Sequence, residues 1–134
     1  MIAVDSSVVV ASFGAWHEHH DAARAVLADG PCLPAHAGLE AYSVLTRLPE
    51  PFRAEPATVA DFLARTFTGP RLVLDAVEQA ALPARLAGRG ISGGAVYDAL
   101  IAVTAAAAGA ELCTLDRRAL ENYQRCDVPA RLLA

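Results

Sequence analysis

One stretch leaves this chain little choice of fold. Ala95 to Ala108 reads Ala-Val-Tyr-Asp-Ala-Leu-Ile-Ala-Val-Thr-Ala-Ala-Ala-Ala and stops at Gly109. Glycine at that point is a natural helix end. Val96, Leu100, Ile101, Val103 and the alanines leave the helix no polar face, so it belongs at the centre, covered on all sides. The apolar run Ala99–Ala110 is shorter than the ~18 residues that cross a membrane. Asp98, in the first turn, breaks the pattern. A carboxylate on a buried helix is costly unless something pairs with it. The helix dipole favours it there, but Ser92 or the glycines before it suffice as caps. Asp98 therefore asks for partners from elsewhere in the chain.

Two other segments share a second pattern. Ile2-Ala3-Val4 is a short apolar run, as buried parallel strands are, and it ends at Asp5. Glu111-Leu112-Cys113-Thr114-Leu115-Asp116 repeats the arrangement. Ser6 or Ser7 caps a helix over Val8–Phe13. Asp5 then lies in a strand-to-helix turn, where it either caps the helix or lines the rim at which α/β sheets bind ligands. Further helices are expected over Glu18–Ala28, His36–Leu48, Pro56–Thr66, Ala76–Ala87 (capped by Asp75) and Arg117–Tyr123. Short strands are expected at Cys32-Leu33 and Pro70–Leu74, with an edge strand at Cys126–Pro129 and Leu132-Leu133 as a terminal anchor. Glu40 falls in the early turns of its helix, beside the stripe of Ala41, Val44, Leu45 and Leu48. Strands alternating with helices define an α/β fold, and the 134 residues form a single domain, 1–134.

Composition narrows the function. The formal net charge is −4 and all eleven basic residues are arginine. No overall basic field draws in nucleic acid, and mechanisms that need a P-loop or Schiff-base lysine are excluded. Cys32, Cys113 and Cys126 contain no CxxC pair, which argues against a thiolate zinc site and for reduced, buried thiols in a cytoplasmic protein. His17-Glu18-His19-His20 resembles a metal cluster, but neighbours one or two apart diverge on a helix, so a solvated loop is expected. Gly88-Arg89-Gly90-Ile91-Ser92-Gly93 matches GxGxxG literally. It follows a helix, not a strand, and reads as a connection rather than a dinucleotide site. The N-terminus has no basic region, and Asp5 interrupts its apolar run, unlike a signal peptide.

In a parallel sheet, strand carboxyl ends and helix amino ends share one rim. Asp5, Glu40, Asp98 and Asp116 would therefore converge. At ~5 Å and an effective dielectric of ~20, two carboxylates repel by roughly 3 kcal/mol. A hard divalent cation removes that penalty, and oxygen ligands suit Mg²⁺ or Mn²⁺ rather than zinc. Such a site is suited to phosphodiester hydrolysis.

With these residues in place the chain resembles the PIN-domain ribonucleases, and among them the VapC-type toxins of toxin–antitoxin pairs. The resemblance runs over nearly the whole chain. It rests on hydrophobic-Asp5-Ser6-Ser7-hydrophobic, Glu40, Tyr97-Asp98-Ala99-Leu100-Ile101-Ala102 and Cys113-Thr114-Leu115-Asp116, in order and spacing. It implies a three-layer α/β/α fold with a short, mainly parallel sheet, and an endoribonuclease dependent on Mg²⁺ or Mn²⁺. It implies a catalytic quartet of Asp5, Glu40, Asp98 and Asp116. Asp5 and Asp98 would be direct metal ligands, Asp116 would hold a second ion or an outer-shell water, and Glu40 would orient the attacking water or a hydrated metal. Ser7 and Thr114 would hold carboxylates by hydrogen bonds. Many relatives carry an acid where this chain has Ala119, which bears on a second metal. RNA contact would fall to scattered arginines such as Arg89, Arg117 and Arg118, or to both subunits of a homodimer. A cognate antitoxin would close the site, using an apolar groove around Trp16 and Phe52. The competing expectation is a PIN-like protein that binds RNA or a partner and cleaves nothing.

Overall fold

The computed structural model describes residues 1–133. The elements run β1 (Ile2–Val4), α1 (Ser6–Phe13), α2 (His20–Leu27), α3 (Ala35–Thr46), α4 (Pro56–Thr66), α5 (Ala76–Gly88), α6 (Ala95–Ala107), β2 (Glu111–Thr114), α7 (Arg117–Arg125) and β3 (Ala130–Leu132). The strands form a parallel sheet in the order β1-β2-β3, with Ala3 opposite Leu112 and Cys113 opposite Arg131. Beyond β1 the sheet continues only as single parallel bridges, Ala3 to Cys32 and Pro34 to Leu72. The strands expected at Cys32-Leu33 and Pro70–Leu74 thus shrink to points of pairing. Pro31, Pro34 and Pro70 have no N–H to donate to a ladder.

The last strand also moves, from Cys126–Pro129 to Ala130–Leu132. Helix α7 runs to Arg125, Cys126 caps it, and Asp127 takes a left-handed backbone at φ 56°. Pro129 lacks an N–H, so pairing begins one residue later. Helix α1 starts earlier than expected, at Ser6, because Asp5 itself is the N-cap. Val8, Val9 and Val10 are β-branched and disfavour a helix. Burial overrides that preference, since Val8 and Val9 are fully enclosed.

Helix α6 lies in the core through Ala99, Ile101, Ala102, Val103 and Ala105. It is not covered all round. Tyr97 is 55% exposed, and Val96 and Leu100 line a groove of about 640 Å³ against α5 with Leu82, Leu86 and Ile91. The GxGxxG segment forms one end of that groove and the turn between the two helices, as a connection. Among the described residues no helix is long and apolar enough to cross a membrane.

Candidate active site

The site is built where β1 and β2 end and α1, α3, α6 and α7 begin. Asp5 leaves the sheet with its carboxylate turned back over the start of α1. Its Oδ1 accepts from the Ser7 N–H (3.0 Å), the Val8 N–H (3.3 Å) and the Ser7 hydroxyl (2.5 Å). Its Oδ2 accepts from the Tyr123 hydroxyl at 2.7 Å. Asp5 is only 2% exposed and Tyr123 1%. Burial pushes the Asp5 carboxyl above its usual range, against the opposing pull of the Ser7 and Tyr123 hydrogen bonds. The same burial, with the negative charge of Asp5 close by, pushes the Tyr123 phenol up, so the phenol stays a donor.

Ser7 joins the two strand ends. Its hydroxyl reaches Asp5, lies 3.3 Å from the Thr114 hydroxyl, and accepts the Leu115 N–H at 2.9 Å. Thr114 does not touch the Asp116 carboxylate: its Oγ1 accepts the Asp116 backbone N–H at 3.0 Å. Asp116 is the N-cap of α7, with Oδ1 accepting from the Arg118 and Ala119 N–H groups. Its Oδ2 has no hydrogen-bond partner among the described residues. Ala119 is buried in the core, so position 119 offers the rim no ligand.

Asp98 is half-buried at the start of α6, and the Asn122 side-chain amide donates to its Oδ2 at 2.8 Å. Desolvation raises its carboxyl first, and the charges of Glu40 and Asp116 raise it further. Three acids from distant parts of the chain therefore face one another. Glu40 accepts from the Ser6 hydroxyl, and its Oε2 lies 3.8 Å from Nε2 of His36. The His36 ring stacks on Tyr97, with centroids 5.4 Å apart. Glu40 and Asp116 share a cavity of about 470 Å³ with Ser6, Ser7, His17 and His19.

Among the described residues, no three His, Cys, Asp or Glu side chains stand close enough to hold an ion by themselves. That holds for the His17–His20 stretch and for the acidic rim alike. His17 Nδ1 accepts the His19 N–H at 3.0 Å, and His20 Nδ1 lies 2.8 Å from the Ala11 carbonyl oxygen. For the acidic rim the donor chemistry decides. Mg²⁺ takes one or two protein carboxylates and keeps several waters, whereas structural zinc wants a closed nitrogen and sulfur cage. An oxygen-only rim with a free lobe on Asp98 and on Asp116 fits the first.

The family model for the PIN domain matches residues 2–125. The chain belongs to the PIN-domain family. It is 50% identical over 133 residues to Ribonuclease VapC40 of Mycobacterium tuberculosis, covering 99% of each chain. It is 41% identical over 137 residues to Ribonuclease VapC27 of the same organism, covering 95% of this chain and 93% of that one. The seven helices and parallel sheet of the described residues agree with the three-layer PIN fold. Within this PIN domain, sequence reasoning missed Ser6, Asn122 and Tyr123. The one signal was for Tyr123: four residues after Ala119, it shares a face of the expected helix with it. Of the arginines expected to meet RNA, Arg89 is committed elsewhere. Its Nη1 bonds Asp127 Oδ2 at 2.8 Å and the Arg125 carbonyl oxygen at 3.0 Å. Arg117 and Arg118 are exposed beside Asp116 and enter no ion pair among the described residues.

Proposed function

We propose that this PIN domain is a metal-dependent endoribonuclease, the toxin of a toxin–antitoxin pair. The single observation that carries the reading is Asp98: an acid half-buried on the central helix and held by Asn122, raised first by desolvation and further by Glu40 and Asp116 from two other elements. Relatives along the full chain bear the name ribonuclease. Asp5, Asp98 and Asp116 would hold Mg²⁺ or Mn²⁺, which supplies water activation and neutralises charge at the scissile phosphate. The chain's own groups do the positioning. Ser7, Val8 and Tyr123 fix the Asp5 carboxylate, and Asn122 fixes Asp98. Ser6 turns Glu40 into the shared cavity, where Oε2, the oxygen that faces His36, can accept a proton from an attacking water. A second copy of the chain and a cognate antitoxin complete the assembly in this reading.

The alternative, a PIN-like protein that binds without cleaving, is favoured by the net charge of −4, by Ala119 and by the lack, among the described residues, of three side chains enclosing a point. Cleavage of total cellular RNA by the purified protein separates the two. Discrete fragments should form in Mg²⁺ or Mn²⁺ and disappear in EDTA and in Asp98→Asn. Cleavage that persists in that variant or after chelation refutes the assignment.

A further inference from the structure

Trp16 lies over the end of α1 on a perch that only glycine permits. A Cβ on Gly14 would come within 2.6 Å of the indole. From there the rings form a series. Phe52 and Trp16 have centroids 5.0 Å apart, Trp16 and His17 5.7 Å, and His17 and His19 5.8 Å. The outer pair is open to solvent, with Trp16 45% and Phe52 44% exposed. The inner pair lines the cavity that holds Glu40 and Asp116.

We propose that Phe52, Trp16, His17 and His19 form a stacking track that leads the bases of a single-stranded RNA into the Glu40–Asp116 cavity. The proposal rests on the nuclease reading and adds the side chains that seat the substrate's bases. Aromatic faces bind any unpaired base, and duplex bases cannot reach them. A chain of net charge −4 without a basic stripe has need of such contacts. The tautomer of His17 suits the role. Its Nδ1 accepts the His19 N–H, so it carries no proton, and burial followed by the neighbouring His19 lowers its affinity for one. A docking face for a protein helix is less well matched here. Two of the four rings are imidazoles, and the cavity wall includes Ser6, Ser7 and Glu18. A more apolar groove, lined by Leu82, Leu86, Ile91, Val96 and Leu100, lies elsewhere, between α5 and α6.

Trp16 is the sole tryptophan, so its emission reports the track directly. The full chain in EDTA is titrated with a mixed-sequence single-stranded RNA oligonucleotide and with its duplex. The single strand should quench the emission and the duplex should leave it near its starting value. With labelled RNA, Trp16→Leu should lose about tenfold in affinity while Trp16→Phe keeps most of it. In Mg²⁺ the loss should appear in KM with kcat unchanged. RNA bound or cut with unchanged emission, or native affinity in Trp16→Leu, overturns the track and leaves the nuclease standing. No binding and no cleavage in any condition overturns both. Quenching by a partner protein together with native RNA affinity in Trp16→Leu assigns the face to protein docking, and overturns the track.

Discussion

Asp5 and Asp75 do the same local work in two different places. Each caps a helix that follows an extended segment, Asp5 at α1 and Asp75 at α5. Asp75 is exposed, and its side chain accepts one bond, from the Glu78 N–H at 2.8 Å. Asp5 is enclosed and accepts four, including one from a tyrosine 118 positions away. Capping explains all that is seen at Asp75. It explains only half of Asp5, because a cap needs neither burial nor a second oxygen held by a phenol. Where a buried charge must be kept in one orientation, this chain supplies donors from α1 and α7. Where a helix only needs a start, one aspartate suffices. The surroundings differ in the same sense: α5 is held by Leu82 and Leu86 and leaves Val77 80% exposed.

Substitutions can break this comparison. The largest effect should come from Asp5→Ala, which strands the Ser7 and Val8 donors and the buried Tyr123 hydroxyl. A loss of about 3 kcal/mol is expected in urea unfolding, against about 1 kcal/mol for Asp75→Ala. Equal losses would mean that Asp5 is a cap and nothing more. Tyr123→Phe comes next, with a loss of about 1–2 kcal/mol. It should also weaken Mg²⁺ binding in calorimetry, because Asp5 Oδ2 loses its one donor. Unchanged Mg²⁺ affinity would make the tyrosine a packing residue.

The smallest effect is a gain. Desolvation, then Glu40 and Asp116, hold the Asp98 carboxyl above its ordinary value in the fold. The folded state therefore keeps that proton at pH values where the unfolded chain has released it. The stability tied to the protonated form is complete below the ordinary value of 3.8 and is lost as pH rises through the higher folded value. Asp98→Asn, which never ionises, should melt slightly higher than the native chain near pH 7 in EDTA, and the difference should close on acidification. A lower melting temperature for the variant near pH 7 would mean that Asp98 is there for stability.

Much of this was legible in the sequence because it is local. Apolar runs ending in acids marked β1 and β2, Gly109 marked the end of α6, and the helix periods held to within a few residues. Asp98 stood out because nothing in its own helix needs it. What could not be read depends on distant partners. Tyr123 on a short helix looks like core until Asp5 is placed against it. Asn122 looks like a surface amide until α7 lies beside α6. The outer strands failed for a local reason: prolines at 31, 34 and 70 leave an extended chain with few donors. The full covering expected for α6 failed because α5 lies against it only in part, leaving the groove.

In the proposed function Asp5, Asp98 and Asp116 act as one cation site, with Glu40 beside it. Isothermal titration of the native chain with Mg²⁺, beside Asp98→Asn, tests it most directly. Saturable binding in the native chain that is lost in the variant, with the variant still folded, is the predicted result. Equal binding by both chains, or none by the native one, would contradict the claim.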